Sequence, residues 1–559
     1  MTRLAGRVWA RATALADTRR GAAILVGAAL VVFAIQSLGW PEGPGRDLES
    51  YLAVYVDFWH THAVFPWEML NRTPVAPLLV GGVLDLGRPW LVELFGALLF
   101  AGSVLLYART ALLFGRGPAV LVGAALVLYP GYGVVFHELA TEIVFAAGFA
   151  VWTAVIVRAA LRPSAWWFAG AGLATALIAL TRPANQVFLV AAILPLALAA
   201  PWRVRIGRAA AFVGVGVVLL GAWAATNAWR YDDFAVSRGT QANLPFFRAF
   251  IVDHIVEPDN GPASRELAAA VQRDLLPREP YRSYGIDLDT FFSRGSPREQ
   301  EDLISLSDRV YGWDSDYSIL GRAAREAVLA HPGTFSWAVF QDFVKELWKP
   351  LFAGRKAATS EPAPAAGGSS TPPPPPTVVV NGTELPAPTE GEPIPSENQS
   401  AQISTPDHSI REVWTSATEH HVVFDDPAKR ARWEENDRWV AELYAAFPDR
   451  WWSPWLGLQM DRSSKLYPPP LLWLLAGVVG VAWRRPWRWW ATVAPVAGAL
   501  VMLLSTVMAV WAEPAYAVPV APAFVLFAAV ALLGDRTRPA AGQTSAASTP
   551  SNSRFLSAR

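Results

Sequence analysis

The feature that most constrains the fold is a series of apolar segments separated by short arginine-rich stretches. Hydrophobic residues make up 53% of the 559 residues, and charged residues only 17%, whereas soluble domains average about 25% charged residues. A helix that crosses a bilayer needs about 20 predominantly apolar residues, and in lipid a helix satisfies all of its own backbone polar groups. The sequence therefore predicts an all-α polytopic membrane protein.

Ten segments are interpreted as transmembrane helices. They are residues 21–38, 90–108, 118–129, 139–157, 166–180, 187–200, 209–226, 471–483, 489–507 and 518–533. The apolar segment 74–86 is too short to cross, so it is predicted to be re-entrant or interfacial. Every arginine cluster between spans then falls on one side, which the positive-inside rule makes cytoplasmic. Both chain ends are cytoplasmic in this topology, and the long polar regions are extracytoplasmic.

This topology divides the chain into seven parts. They are a basic cytoplasmic N-terminus (1–20), a transmembrane module (21–226) with its first outer loop at 39–89, an extracytoplasmic region with amphipathic helices (227–356), a proline-rich linker predicted to be disordered (357–411), an extracytoplasmic helical segment (412–467), C-terminal transmembrane helices (468–534) and a disordered cytoplasmic tail (535–559). Within the outer region, the stretch FSWAVFQDFVKELWKPLF at 335–352 is amphipathic enough to lie on the bilayer surface.

Composition and missing motifs exclude several classes of protein. The 47 basic and 47 acidic residues balance, which gives no electrostatic basis for binding nucleic acid. The chain has no cysteine, so disulfides and thiolate metal sites are excluded. The sequence lacks the Walker A, G-x-S-x-G and H-E-x-x-H motifs, which argues against a nucleotide-driven pump and against common hydrolases.

The first outer loop concentrates charge beside the membrane between residues 45 and 73. Its charged residues include Arg46, Asp47, Glu49 and Arg72. A carboxylate held against a bilayer is costly unless water, a cation or a substrate compensates its charge. The loop is therefore interpreted as the floor of an outward-facing site, with Asp47 as its main candidate. The alternative for Asp47 is structural, because aspartate caps a helix well and a helix is predicted to begin near Leu48.

Short elements at the outer ends of the spans follow one another in a recognisable order. They are the Arg-Asp pair 46–47 with Tyr51, TEIVF at 141–145, LTRP at 180–183, NAWRY at 227–231 with VSRG at 236–239, AHPG at 330–333 and EPAYAVP at 513–519. Over residues 20–350 and 466–534, this pattern resembles the GT-C glycosyltransferases, membrane enzymes that use polyprenyl-phosphate sugars. Protein O-mannosyltransferases and aminoarabinose transferases are members of that family. The resemblance implies a GT-C-like bundle of about ten helices whose 21–226 module is catalytic.

The resemblance assigns roles to acidic residues. Asp47 would be the general base on the acceptor hydroxyl or a ligand of a divalent cation, Mg or Mn, and Glu49 is the alternative partner. Glu142 would be a second catalytic acid or would share that cation; its alternative is an interfacial carboxylate that points into water. Glu138 and His137 are possible accessory residues, since Glu138 precedes Glu142 by one helical turn on the predicted helix.

The resemblance also assigns contacts with the donor phosphate. A guanidinium can make bidentate contacts with phosphate, and Arg182, Arg46, Arg72 and Arg238 are the candidates. The alternative for Arg182 is snorkelling toward lipid headgroups. Tyr516 is an accessory candidate in the last outer turn, where Ala515 stands in place of the arginine that many relatives carry.

The implied function is transfer of a sugar from a polyprenyl-phosphate donor to an extracytoplasmic glycan, lipid or protein acceptor, at the outer face of the cell membrane. One rival is a transporter or flippase for lipid-linked glycans, which would need polar residues along a path through the bilayer. The predicted spans carry almost none, with Glu93 near the start of a span as a marginal case. A second rival is a degenerate relative that binds glycan without catalysis.

Overall fold

The computed structural model describes residues 2–63, 65, 70–348, 377–380, 383–386, 405–417, 420–512 and 514–536. Two predictions fall outside these ranges. They concern most of the 357–411 linker and the tail beyond residue 536.

Helices dominate the N-terminal part of the chain. Its elements are α1 (Thr2–Leu15), α2 (Arg19–Ser37), β1 (Gly43–Pro44), α3 (Leu48–Val56), α4 (Val75–Asp85), α5 (Pro89–Ala111), α6 (Arg116–Val127), α7 (Pro130–Val134), β2 (Glu138–Leu139), α8 (Thr141–Leu161), α9 (Ala165–Ala179), α10 (Leu194–Ala197) and α11 (Trp202–Tyr231). A π-helical turn, Asp57–Thr61, extends α3, and a 3-10 helix, Pro183–Ile193, precedes α10.

The remaining elements form the outer region and the last membrane helices. They are α12 (Thr240–Phe247), α13 (Pro262–Ala270), α14 (Tyr281–Tyr284), α15 (Leu288–Arg294), α16 (Pro297–Tyr311), α17 (Ser318–Ala330), α18 (Pro332–Trp348), β3 (Thr377–Val380), β4 (Thr383–Pro386), β5 (Ile410–Trp414), β6 (His420–Phe424), α19 (Pro427–Tyr444), α20 (Pro454–Ser464), α21 (Pro470–Arg484), α22 (Val493–Ala509), α23 (Pro514–Ala517) and α24 (Ala521–Leu533). A π-helical turn, Arg248–Val252, extends α12.

The chain is an all-α polytopic membrane protein, as its composition predicted. Within the described residues, five helices are long and apolar enough to cross a bilayer, namely Arg19–Ser37, Pro89–Phe114, Thr141–Leu161, Trp202–Tyr231 and Trp489–Ala509. A sixth crossing results if Arg116–Val127 and Pro130–His137, bent by 65°, form one span. The other four predicted spans correspond to apolar helices of 10–17 residues, so the number ten stays a prediction.

The segment 74–86 forms the short helix α4, as predicted. Its 11 residues extend only about 16 Å at 1.5 Å per residue, against a hydrocarbon core about 30 Å thick. The amide of Val75, at its start, donates to the carbonyl of Leu180 at 2.9 Å. Because α4 is fixed to the turn after α9 at one end and is too short to cross, it remains on one side of the bundle.

Small residues let the membrane helices pack closely. A Cβ added at Gly172 of α9 would collide with the carbonyl oxygen of Phe212 in α11, so glycine permits this backbone approach. One turn further along α9, the indole of Trp152 in α8 donates to the hydroxyl of Thr175 at 2.9 Å. These contacts build one continuous apolar core through the bundle.

The outer region has a separate apolar core. Phe246, Phe250, Phe291, Leu303 and Leu320 belong to it, and they come from α12 with its π-helical extension and from α15, α16 and α17. The sequence has helical periodicity at 262–276 and at 318–330. These stretches form α13, with its π-helical continuation Val271–Leu275, and α17.

Arg248 joins this outer core to the membrane bundle. Its side chain is 1% exposed and pairs with Asp342 of α18 at 2.6 Å and with Asp253 at 2.9 Å. Its Nη1 also donates to the carbonyls of Val507 and Val510 at the end of α22, at 3.1 Å and 2.7 Å. The last carbonyls of a helix lack intrahelical partners, so this buried cation satisfies them and fixes the outer region to a membrane helix.

The structure describes short strands within the linker predicted over 357–411, and the rest of that prediction stays a prediction. Thr377–Val380 pairs antiparallel with Thr383–Pro386, and Ile410 already belongs to β5. Valine and threonine favour strands, and the sequence places Asn-Gly between β3 and β4, the strongest short-range hairpin signal. The high proline content around this hairpin obscured that signal.

We predict that Arg248→Met lowers the free energy of unfolding by about 3–5 kcal/mol, because it leaves buried carboxylates without their cation. Chemical denaturation in detergent micelles measures this. The control is Arg273→Met, since the Arg273 side chain is 64% exposed beside Asp274 and its loss costs less than about 1 kcal/mol. Equal midpoints for Arg248→Met and the unmodified protein would contradict the anchoring role.

Candidate active site

Two short strands join the first outer loop to the turn before α8. Gly43 pairs in parallel with Glu138, and Pro44 with Leu139. The amide of Gly45 extends the ladder by donating to the carbonyl of Leu139 at 3.0 Å. The first outer loop and the turn before α8 are therefore hydrogen-bonded neighbours on one side of the bundle.

This pairing brings together the two acidic segments predicted from the sequence. Asp47 follows β1 by three residues and Glu142 follows β2 by three residues. Since the strands are parallel and in register at Pro44 and Leu139, both acidic residues leave the ladder in the same direction.

Asp47 presents its carboxylate to the surroundings. It directly precedes α3 but makes no capping hydrogen bond to it, so the structural alternative for this residue is not observed. Its side chain is 51% exposed, and the nearest cation is Arg46, whose Nε lies 4.0 Å away. Its backbone is left-handed with φ of 56°, a conformation that aspartate tolerates better than most residues and that is common at functional sites.

Glu142 and Arg182 form an ion pair at the outer ends of their helices. The Arg182 Nη1 donates to the Glu142 Oε1 at 3.2 Å, and the two side chains are 19% and 15% exposed. The second amino group of Arg182 donates to the Tyr516 hydroxyl at 3.2 Å. Burial by itself lowers the pKa of Arg182, but Glu142 and Tyr516 outweigh it and raise the pKa. The guanidinium therefore stays charged.

Arg72 lies over the ring of Tyr51, and Arg182 lies over the ring of Tyr516, each at 4.7 Å. The Arg72 guanidinium lies 4.7 Å from the centre of the Tyr51 ring and donates to the Ser50 hydroxyl at 2.9 Å. Tyr51 also contributes to the charge environment of Arg182. Ser50 and Tyr51 belong to the first turn of α3, directly after Asp47, so Arg72 contacts the helical turn that follows the acid.

Other outer turns attach to the same region. The amide of Arg238 donates to the carbonyl of Leu70 at 2.6 Å. The Gln186 amide donates to the Ser237 hydroxyl at 3.4 Å. Arg46 lies over the Trp511 ring at 5.9 Å. The turns after α9, α11 and α22 thus surround the Asp47 loop.

The side chain of Arg238 has a different environment from the one predicted for a donor contact. It is 1% exposed and pairs with Asp308 at 2.7 Å. It also donates to the hydroxyl of Tyr317 and to the carbonyl of Trp313. These partners belong to the outer region, so Arg238 joins that region to the loop backbone and does not face the cluster.

The accessory acids also differ from their predicted arrangement. Glu138 was placed on one helix face with Glu142, but the chain is extended in β2 and α8 begins at Thr141, because residues 138–139 pair with β1. Glu49 is exposed on α3, and its charge raises the pKa of Asp437 in α19 after the larger effect of burial. Glu49 therefore lies near α19.

His137 belongs to a buried polar network that sequence analysis did not identify. Its ring stacks on Phe33 at 4.0 Å, and its Nδ1 lies 3.2 Å from a carboxylate oxygen of Glu42. Arg450 reaches Glu42 at 3.6 Å and Glu93 at 2.9 Å. Burial by itself raises the pKa of Glu42, but His137 and Arg450 outweigh it and lower the pKa. An ionised, paired Glu42 stands directly before β1 and stabilises the strand pairing.

The sequence offered only a weak signal for this network. Arg450 lies far along the chain from Glu42 and Glu93, and no motif links them. The proximity of Glu42 to the end of α2 was the one clue, since a carboxylate next to a membrane span needs a partner.

A divalent cation has few ligands here. Within the described ranges, no group of three or more histidine, aspartate or glutamate side chains could hold a metal ion. Mg²⁺ is commonly held by one or two carboxylates together with substrate phosphates, and Asp47 is the exposed carboxylate suited to that arrangement. Both Glu142 oxygens already accept hydrogen bonds, from Arg182 and Thr141.

No family model and no curated protein matches this chain. Among solved structures, ArnT from Cupriavidus metallidurans bound to undecaprenyl phosphate aligns over 92% of this chain and 77% of its own, with 13% identity and a TM-score of 0.33. The apo state of the same protein covers 91% and 76%, with 14% identity and a TM-score of 0.32.

We predict that Gly45→Ala disturbs the loop, because a Cβ at Gly45 would lie 2.6 Å from the Ala140 Cβ and 3.3 Å from the Leu139 oxygen. Overpacking of this kind costs about 1–3 kcal/mol. The measurement is chemical denaturation in detergent micelles. Gly82→Ala is the control, because a Cβ there meets nothing within 4 Å and alanine favours a helix. Gly45→Ala as stable as Gly82→Ala would show that β1 and β2 separate without cost.

Proposed function

We propose that this chain is an integral membrane glycosyltransferase that moves a sugar from a polyprenyl-phosphate donor to an extracytoplasmic acceptor. The main observation that supports this proposal is the parallel pairing of β1 with β2. It joins the exposed Asp47 segment to the Glu142 segment, where Glu142 pairs with Arg182. The ordered sequence elements that resemble GT-C glycosyltransferases lie on these same turns.

The chemistry of the proposed reaction matches the groups in the cluster. The acceptor hydroxyl attacks the anomeric carbon, the bond from that carbon to the phosphate oxygen breaks, and the transition state has oxocarbenium character. The Asp47 carboxylate takes the hydroxyl proton as general base. The departing polyprenyl phosphate carries the negative charge, which guanidinium groups stabilise through charge-assisted hydrogen bonds.

The cations have separate tasks in this proposal. Arg182 already uses two amino groups on Glu142 and Tyr516, which fixes its orientation and leaves its other N–H groups for phosphate. Arg72 and Arg46 supply further positive charge from the loop itself. A bound Mg²⁺ or Mn²⁺ would neutralise phosphate charge, with Asp47 as its protein ligand.

The transporter alternative has less support. It requires ionisable groups at mid-depth along a path through the bilayer. Glu93, the marginal candidate, pairs with Arg450 of the outer helical segment at 2.9 Å, which places its charge at the outer end of α5. The degenerate glycan-binding alternative differs from the enzyme in one observable respect, because it forms no glycosidic bond.

We predict that Asp47→Asn lowers the rate of sugar transfer by about 10²- to 10⁴-fold, the usual contribution of a general base. Asparagine also tolerates the left-handed backbone at this position, so the fold is retained. The assay follows radiolabelled sugar from a polyprenyl-phosphate donor to an envelope acceptor in membranes that contain the protein. Asp289→Asn, an exposed acid of α15, is the control. Transfer by Asp47→Asn at the control rate would remove Asp47 from the mechanism, and no transfer by the unmodified protein would favour the two rivals.

We predict that Arg72→Gln raises the KM for the lipid-linked donor by at least about tenfold, since a hydrogen bond to a charged group is worth about 1.5–3 kcal/mol. The control is Arg88→Gln, which changes an exposed arginine of the same outer loop. Steady-state kinetics with the donor varied at fixed acceptor make the comparison. An unchanged donor KM with a reduced kcat would instead place Arg72 on the acceptor side.

A further inference from the structure

An apolar cavity of about 370 Å³ lies at the arginine-rich end of the bundle, away from the proposed active site. Four helices surround it: α1, the first part of α2, the last part of α5, and α6. Its lining is apolar apart from one charged side chain, Arg109. This cavity, called the groove below, has no role in the proposed glycosyltransferase activity.

The groove has the dimensions of an acyl-chain site. Along α2 its lining runs from Gly21 to Ala28, and along α6 from Ala119 to Leu128, lengths of about 10 Å and 14 Å at 1.5 Å per residue. Ile24 and Leu128 on its rim are 60% and 71% exposed. Because these helices belong to membrane spans, exposed residues on them face hydrocarbon, and the groove is open to the bilayer.

Small residues create the space. A Cβ added at Gly123 of α6 would lie 3.1 Å from a methyl carbon of Leu25 in α2, so glycine lets these helices meet at the floor. Above this contact, Ala28 and Ala124 are exposed on the groove. Larger residues at these two positions would fill it.

Charge at the groove identifies the occupant. Arg116 is neutralised by Asp17, which accepts its hydrogen bond at 2.5 Å and whose pKa is lowered by it. Arg109 makes no hydrogen bond to any residue that the structure describes, although it lowers the pKa of Asp17 more weakly. Arg19 and Arg20 are exposed at the start of α2. A half-buried guanidinium beside an apolar groove, with further arginines nearby, is complementary to an anionic lipid.

We propose that this groove binds one acyl chain of an anionic glycerophospholipid from the cytoplasmic leaflet, whose phosphate is held by Arg109. The site is specific for charge at the headgroup and for an aliphatic chain in the groove. A lipid bound here would fasten α1 to α2, α5 and α6, all of which line the cavity.

Native mass spectrometry of the full-length protein tests the proposal, after delipidation in detergent and addition of phosphatidylglycerol or phosphatidylcholine. The unmodified protein should retain phosphatidylglycerol in preference to phosphatidylcholine. Arg109→Gln should weaken phosphatidylglycerol binding about fivefold, since an arginine near an anionic lipid contributes about 1 kcal/mol. Ala124→Trp should abolish binding of both lipids. The matched control, Arg203→Gln, removes an exposed arginine at the start of α11 and should bind like the unmodified protein.

Thermal unfolding without added lipid separates binding from folding. Both groove variants should unfold at the temperature of the unmodified protein in that condition. Added phosphatidylglycerol should stabilise the unmodified protein and Arg203→Gln equally, Arg109→Gln less, and Ala124→Trp not at all. Equal binding of the two lipids by the unmodified protein would overturn the proposal, as would unchanged binding in Ala124→Trp. If the unmodified protein were a dimer and Ala124→Trp were a monomer, the lipid proposal would be overturned. The groove would then be a contact between two copies of this chain.

Discussion

The two-residue parallel pairing of β1 with β2 is the constraint on which the proposed site depends. Backbone polar groups next to a bilayer need partners, because lipid offers none. The backbone groups of the loop after α2 and of the turn before α8 form hydrogen bonds with each other. Asp47 and Glu142 each follow the paired residues Pro44 and Leu139 by three positions. The buried side chains of Glu42 and His137 contact each other directly beside this ladder, so the strand pairing is supported by a buried polar contact.

Buried arginines connect the parts of the molecule. Arg182 contacts Glu142 and Tyr516, which lie far apart in the sequence. Arg248 ties α12 to α18 and to the end of α22. Arg238 ties the turn after α11 to the outer region. A guanidinium has five donors in a rigid fork, and each of these residues uses several of them to join segments that apolar packing alone would not align.

Sequence reasoning recovered the features that depend on local pattern. The all-α membrane architecture, the short helix at 74–86 and the outer helices α13 and α17 follow from hydrophobic periodicity and length. Asp47, Glu142, Arg182 and Tyr516 were chosen from short motifs, and the structure brings the last three into contact and joins the Asp47 loop to them. Their chemical roles stay predictions, because proximity alone does not identify a reaction.

What the sequence could not provide is long-range pairing. Arg238 was chosen for a phosphate because it lies in an outer turn, but Asp308 and Tyr317, far along the chain, take its donors. Glu138 was assigned to a helix because apolar residues follow it, but pairing with β1 keeps it extended. In both cases a segment distant in sequence determines the environment or the conformation of the residue. Hydrophobic periodicity does not indicate such a partner.

The contacts of the late segments have a consequence for how the protein is made. Asn436 of α19 donates to the carbonyl of Ala53 in α3 at 3.4 Å, and Trp439 stacks on His60 at 4.1 Å. Tyr516, the partner of Arg182, lies between the last two membrane helices. Synthesis runs from the N-terminus. The first outer loop can therefore form these contacts only after nearly the whole chain has been translated and translocated. A ribosome that stops before α19 would leave an inserted membrane module with an unfinished outer surface.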